Sequence, residues 1–264
     1  GVQAISFTGG SATGKIIAQK TAASFKKLSL EMGGKNPAII FTDCNYNKML
    51  ETVVQSSFSN QGQICLSSSR ILIQTEIFQQ FKKDFIGKVN KLIVGDPQDH
   101  ESNLGAVSSK NHFEKIMNYI ELAEKEGGKI LFGGKALILS GRCKKGWFIE
   151  PTIIEGLNNN AKTNQEEIFG PVVTLIPFEN EEDAIQIANE SDYGLSATIW
   201  TEDKERATRV SNQVEAGVIW VNCWLVRDLR TPFGGMKQSG MGREGGSEAL
   251  RFFTEQKNVC TSIA

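Results

Sequence analysis

One thiol in this chain sits where a thiol could do work. Asn60-Gln61-Gly62-Gln63-Ile64-Cys65-Leu66-Ser67-Ser68 is a polar loop of small residues between an expected helix and an expected strand. A lone cysteine is more often an inert packing residue. Small neighbours, however, let a substrate approach and let backbone N–H groups face a developing oxyanion. A thiolate is also the nucleophile that covalent aldehyde chemistry needs. Glu31 is an acid at the end of an apolar run, Leu30-Glu31-Met32-Gly33-Gly34-Lys35-Asn36-Pro37. Desolvation there would raise its pKa and suit it to general-base work near neutral pH. Taken alone, a strand-end glutamate paired with Lys35 is the plainer account.

Three further motifs could bind rather than react. Gly9-x4-Gly14-Lys15 nearly matches a phosphate-binding P-loop, but Ile16 stands where Ser or Thr would hold magnesium. Two glycines ahead of a helix N-terminus can still bring backbone N–H groups to a pyrophosphate, whose charge the helix dipole favours. An ordinary strand-to-helix turn explains the glycines equally well. Glu166-Glu167-Ile168-Phe169-Gly170-Pro171 could offer a carboxylate to ribose hydroxyls and a ring to a flat cofactor, or be a loop whose Phe packs inward. Residues 233–244 are glycine-rich and unusually long and ordered in composition for a flexible loop.

Strands and helices must hold these segments. Residues 2–7 are predicted as a strand and residues 15–26 as a helix, with a glycine loop between them. Strands are also predicted over 38–41, 70–74, 129–132, 172–178, 195–200 and 217–222. Helices are predicted over 76–92, 112–127, 181–191 and 203–213, and from an Asn45 cap to about residue 59. Strands alternating with helices indicate an α/β chain with a largely parallel sheet. The segment 252–263 reads as weakly extended. Residue 1 is Gly and the chain enters a core strand at once, which leads us to expect further sequence ahead of it.

Composition narrows the function classes. The 264 residues carry a formal charge of -1, with 29 basic against 30 acidic residues and no long basic run. That gives no electrostatic case for nucleic acid or an anionic membrane. No apolar run reaches membrane-span length. Cysteines at 44, 65, 143, 223 and 260 form no Cys-x-x-Cys pair. The two histidines, His100 and His112, lie at no metal-ligand spacing. Neither a disulfide framework nor a metal site is expected.

The motifs occur together, and in this order, in one family. Phe7-Thr8-Gly9, Glu31-Met32-Gly33-Gly34-Lys35, Gln61-Gly62-Gln63-x-Cys65, Glu167-Ile168-Phe169-Gly170-Pro171 and Pro232-Phe233-Gly234-Gly235-x-Lys237-x-Ser239-Gly240 resemble the aldehyde dehydrogenase superfamily throughout the chain. The resemblance implies an α/β catalytic domain with a parallel-rich sheet, plus the last strand-helix unit of a Rossmann-like cofactor domain. It implies a cofactor remnant over 1–33, a thiol domain over 34–234, and a Gly-rich loop, helix and oligomerisation tail strand over 235–264. It implies NAD as cofactor and Cys65 as the nucleophile that forms a thiohemiacetal and then a thioester. Glu31 becomes the base that activates water, which reverses the preference for a Lys35 partner. Gly9, Gly10, Ser11 and Gly14 would lie at the pyrophosphate, with Met32, Gly33, Glu167 and Phe169 also at the cofactor. Gly10 stands where the family usually has Ser, with Ser11 able to substitute.

The resemblance covers about the C-terminal half of a family member. The other half normally supplies the first cofactor-domain strands, an oxyanion-hole Asn and much of the oligomerisation hairpin, so the chain alone is expected not to oxidise aldehydes at a normal rate. Asn222-Cys223-Trp224-Leu225-Val226-Arg227-Asp228-Leu229-Arg230 resembles the tunnel segment of members acting on 2-aminomuconate and 2-hydroxymuconate semialdehydes. There Arg227 would clamp a substrate carboxylate bidentately, with Phe233 also at the substrate. A surface ion pair of Arg227 with Asp228 is the competing account. The implied partners are a carboxylate-bearing small aldehyde and, in the full-length form, further copies of the chain, in the cytoplasm. The alternatives are a broader-specificity aldehyde dehydrogenase and a truncated, non-catalytic structural partner.

Overall fold

A computed structural model describes residues 1–263. β1 (Ala4–Thr8), α1 (Ser11–Thr21) and β2 (Lys27–Glu31) make the first strand-helix-strand unit. β3 (Asn36–Ile40) leads into α2 (Tyr46–Phe58), and β4 (Ser68–Gln74) into α3 (Thr75–Val89). After α4 (Lys110–Lys125) come β5 (Lys129–Phe132), β6 (Ala136–Leu137), β7 (Phe148–Ile149) and β8 (Thr152–Glu155). One turn of helix, α5 (Lys162–Gln165), precedes β9 (Val172–Phe178), α6 (Glu181–Asn189), β10 (Tyr193–Gly194), β11 (Ser196–Trp200), α7 (Lys204–Gln213) and β12 (Val218–Val221). The chain closes with β13 (Met236–Lys237), β14 (Gly240–Met241) and α8 (Gly246–Phe253).

The main sheet has seven strands in the order β12-β11-β3-β4-β9-β8-β5. All its neighbours are parallel except β8 and β5, so the strand expected over 129–132 is an antiparallel edge. Helices cover both faces, which is why these strands read as continuous apolar runs rather than alternating ones. Ile40, Ile71, Ile73 and Trp200 pack with Met49, Val53, Phe81 and Phe85 of α2 and α3. The residues between them point the other way: Ile39, Leu72 and Ile199 meet Ala184, Ala188 and Val210 of α6 and α7. Side-chain caps start several helices where sequence places them; Asn45 accepts from the Lys48 N–H and Asp203 from those of Glu205 and Arg206.

The structure departs from the sequence reading in three places. α1 begins at Ser11, so the expected 9–14 loop is already the first helical turn and Gly14 lies inside the helix. A side chain at Gly14 would overlap Met32, so that glycine lets α1 sit close on the end of β2. β8, an inner strand with Ile153 and Ile154 fully buried, was not expected; four residues after Pro151 are too short to show a period. In the tail, Phe252 and Phe253, expected as the start of an extended segment, instead end α8, and residues 254–263 pair with no strand of the same chain among the described residues.

The Gly-rich segment contributes a strand to each of two small sheets. β14 pairs antiparallel with β2, making the three-stranded sheet β1-β2-β14, and β13 pairs with β10. Lys15 Nζ donates to Gln238 Oε1, and Gln238 Nε2 donates to Asp192 Oδ2, so α1 is fastened to the body of the molecule through that segment. Among the described residues no helix is long and apolar enough to cross a membrane.

Candidate active site

The thiol is presented by a tight turn between α2 and β4. Asn60, Gln61 and Gly62 take left-handed backbone angles, φ 51°, 56° and 67°. Asn adopts this region more readily than most residues and Gly does so freely. At Gly62 a side chain would also collide with the carbonyl oxygen of Gly170. The Gln61 side chain bridges outwards, accepting from Gly105 N and donating to Ala106 O. Beyond the turn, Trp224 Nε1 donates to Leu66 O at 3.0 Å. Asn36 Nδ2 donates to Cys65 O and Ser67 O at 2.8 and 2.9 Å.

Cys65 is half-buried and opens on a cleft of about 520 Å³. Glu31, Met32, Gly33, Glu167 and Phe169 line the same cleft, as do Gly9 and Gly10. Burial, then the nearby Glu167, pushes the Cys65 thiol above its ordinary range; Glu31 adds to this and the Arg227 cation opposes it. Glu31 ends β2, is 5% exposed, and neither carboxylate oxygen has a hydrogen-bond partner among the described residues. Burial, reinforced by Glu244, raises its pKa to about 7, against the pull of Arg243 and Arg227. A methyl group at Gly234 would stand 2.8 Å from Glu31 Oε1, so that glycine leaves the carboxylate its room.

Lys35 does not pair with Glu31. It is buried, and its Nζ donates to the Glu166 carbonyl at 2.9 Å. Burial and the neighbouring Arg70 lower its pKa to about 7. Arg70 spends its guanidinium on carbonyls, donating to those of Lys35, Ile187 and Ala188 and so capping the end of α6. Glu167 lies across Gly33 and Gly34 and accepts from Gly34 N at 3.1 Å. A side chain at Gly33 would overlap its carboxylate. Phe169 is held in a left-handed conformation, φ 59°.

The N-terminus of α1 opens on the cleft through Gly10, its cap residue, without a side-chain cap bond. Its first N–H groups therefore offer a positive end to an anion. A Cβ at Gly10 would meet nothing within 4 Å, so the approach is open. Ser11 Oγ is turned instead towards Gln238 O, at 3.4 Å. The residues present thus fit the diphosphate of a dinucleotide.

Arg227 is not paired with Asp228. Asp228 binds Arg230 at 2.5 Å, while the Arg227 guanidinium carbon stands 4.1 Å from the centre of the Phe233 ring. Phe233 packs on a buried cluster of Leu66, Leu195, Trp220 and Trp224, against which Cys65 also packs. Arg227 and Phe233 are not in the wall of the 520 Å³ cleft; Phe233 shares this cluster with Cys65, and the exposed Arg227 lies on the outer face of its ring.

The model of the aldehyde dehydrogenase family matches residues 1–259. This chain belongs to the aldehyde dehydrogenase family. A 2-aminomuconic semialdehyde dehydrogenase of Danio rerio is 48% identical over 260 residues, which are 98% of this chain and 53% of the relative. A 2-hydroxymuconic semialdehyde dehydrogenase of Pseudomonas sp. (strain CF600) is 44% identical, over 99% of this chain and 54% of its own length. A solved betaine aldehyde dehydrogenase from Staphylococcus aureus, in complex with NAD+, superposes with a TM-score of 0.90 at 40% identity, covering 94% of this chain and 49% of that one. The chain spans about half the length of the curated relatives it matches.

Within this aldehyde dehydrogenase fold, sequence reasoning missed residues that one helix brings to the cleft. His112 and Lys115 line it from α4. His112 Nε2 is 2.6 Å from Phe169 O, and Lys115 Nζ donates to Glu167 O at 2.8 Å. One turn on, Tyr119 hydrogen-bonds the Glu166 carboxylate. Residues 112, 115 and 119 share one face at i, i+3 and i+7. That polar stripe was the available signal.

Proposed function

We propose that this chain carries the nucleophile, the base and part of the cofactor site of an NAD-dependent aldehyde dehydrogenase. Its substrate would be a carboxylate-bearing semialdehyde of the 2-aminomuconate class. The observation that carries the reading is convergence: Cys65, Glu31, Glu167 and the open N-terminus of α1 meet in one cleft. The semialdehyde is supported by Arg227, a guanidinium held on a ring rather than spent on Asp228, and by the 2-aminomuconic relatives.

The Cys65 thiol gives its proton to water in the cleft, and the thiolate attacks the aldehyde carbon, forming a C–S bond while the C=O π pair moves to oxygen to give the thiohemiacetal oxyanion. NAD+, when bound, would supply the acceptor for the hydride that the thiohemiacetal carbon must lose to become a thioester on Cys65. Glu31 then takes a proton from water, whose oxygen attacks the thioester carbon. The C–S bond breaks, releasing the acid and restoring the thiolate. A carboxylate with a pKa near 7 is matched to this duty, being basic enough to take the proton and ionised often enough to be ready. Gly9, Gly10 and the start of α1 would hold the diphosphate. Met32, Gly33, Glu167 and Phe169, with His112 and Lys115, would hold the nicotinamide end.

Assembly into a homo-oligomer and a cytoplasmic location belong to the same reading and rest on family resemblance. The test is NADH formation from three aldehydes: a dicarboxylate semialdehyde, a neutral aliphatic aldehyde and a trimethylammonium aldehyde. Preference for the first, lost with Cys65→Ser, supports the whole reading. Equal use of all three leaves a broad-specificity dehydrogenase. A folded chain that turns over none of them, alone or joined to the N-terminal half of a relative, points to a non-catalytic partner.

A further inference from the structure

We infer that Asn36 is the positioning residue of the nucleophile loop, the side chain that sets where Cys65 stands. The inference rests on the reading of Cys65 as the nucleophile. Three successive carbonyls of the loop, those of Cys65, Leu66 and Ser67, are held by side-chain donors. Asn36 takes the outer two and Trp224 the middle one. Asn36 also accepts from Ser196 N at 3.1 Å. Both amide hydrogens and the oxygen of its carboxamide are thus used, in a residue only 3% exposed.

The reason lies in the strand it belongs to. Asn36 pairs with Ser68, but its successor Pro37 pairs with Arg70, so the β3–β4 register slips between them. Proline has no N–H to give to a ladder. Where the ladder is interrupted, the Asn36 carboxamide takes over the loop carbonyls. One side chain therefore joins β3, the Cys65 loop and β11.

The neighbouring residues extend this hold to the cofactor side of the cleft. Gly34 N donates to Glu167 Oε1 and Lys35 Nζ to Glu166 O. Gly34, Lys35 and Asn36 thus grip the Glu166–Glu167 segment and the nucleophile loop from one stretch of chain, just beyond the base Glu31. Displacing Asn36 would change the distance between thiol and cofactor while leaving the thiol itself intact.

The test uses the intact chain with Asn36→Ala and Asn36→Ser, read by hydrogen exchange and by iodoacetamide alkylation of Cys65 across pH. Asn36→Ala should speed exchange over residues 64–68 about tenfold or more. It should also lower the pH midpoint of Cys65 alkylation towards that of an ordinary thiol, because the loop relaxes into water. Buried Cys44 should stay unreactive. Asn36→Ser, which keeps one donor, should fall between. Unchanged loop exchange and midpoint in both variants would overturn the inference. Exposure of Cys44 in both would also overturn it, making Asn36 a folding residue only. The nucleophile reading fails separately: aldehyde oxidation that survives Cys65→Ser removes Cys65 from the chemistry, whatever Asn36 does to the loop.

Discussion

The guanidinium of Arg227 rests over the ring of Phe233, 4.1 Å from its centre, and leaves Asp228 to Arg230. A cation on an aromatic face keeps its in-plane N–H groups free. Such a group can receive a carboxylate through two parallel hydrogen bonds. In the chain joined to the N-terminal half of a relative, Arg227→Ala is expected to raise KM for a dicarboxylate semialdehyde by about 10- to 100-fold while changing that for a neutral aliphatic aldehyde about twofold or less. Phe233→Leu should move KM in the same direction by a smaller factor. Steady-state kinetics on both substrates decide it; equal shifts would remove the clamp.

In the chain joined to the N-terminal half of a relative, Cys65→Ser should lower aldehyde oxidation by about 10³-fold or more, since a hydroxyl at neutral pH is a far poorer nucleophile than a thiolate. The thermal midpoint should move little, because Cys65 is half-buried and serine is of similar size. Activity and melting curves on the same preparation separate chemistry from folding.

Glu31 should show itself in two pH dependences. Its pKa is raised from 4.5 to about 7, so thioester hydrolysis by the parent chain should rise with pH through about 7. In Glu31→Gln it should be slow, by about 10²-fold or more, and should lack that inflection. The stability effect has the opposite sign. Between 4.5 and about 7 the folded chain holds a proton that the unfolded chain has released, so stability falls as pH rises across that window. Glu31→Gln should therefore be more stable than the parent above pH 7, by at most about 3 kcal/mol, and no more stable at pH 4. Urea unfolding at both pH values measures this, and a variant less stable at pH 8 would contradict it.

Gly62→Ala should destabilise the fold by about 2–4 kcal/mol. The backbone there has φ 67°, and the new methyl group would meet the Gly170 carbonyl. Denaturant unfolding gives the magnitude. A loss under about 1 kcal/mol would mean that the turn re-forms around the methyl group.

Gly10→Asp should weaken NAD binding about tenfold by placing a carboxylate where the diphosphate charge belongs. It should leave the fold in place, or stabilise α1 slightly, since Gly10 has φ -70° and open space around its Cβ position. A cofactor titration by fluorescence reads the first effect and a melting curve the second.

By itself the sequence determined the architecture and the chemical groups. The apolar runs and helical periods placed most strands and helices, because burial on both faces of a sheet leaves that pattern in any order of packing. The 60–68 segment was legible as a loop from its small polar residues, though the left-handed backbone of Gln61 was not, and the spacing of the motifs carried the family. What only the tertiary structure decided was partnership. Glu31 and Lys35 lie four residues apart, and nothing local says that the acid faces an open cleft while the amine reaches the Glu166 carbonyl. Arg227 adjoins Asp228 in sequence yet stacks on Phe233. Asn36, 29 residues from Cys65, holds its carbonyl only because β3 and β4 are neighbours with a slipped register. Hydrogen bonds and pKa shifts depend on distance and burial in three dimensions, and those are set by which strands lie side by side.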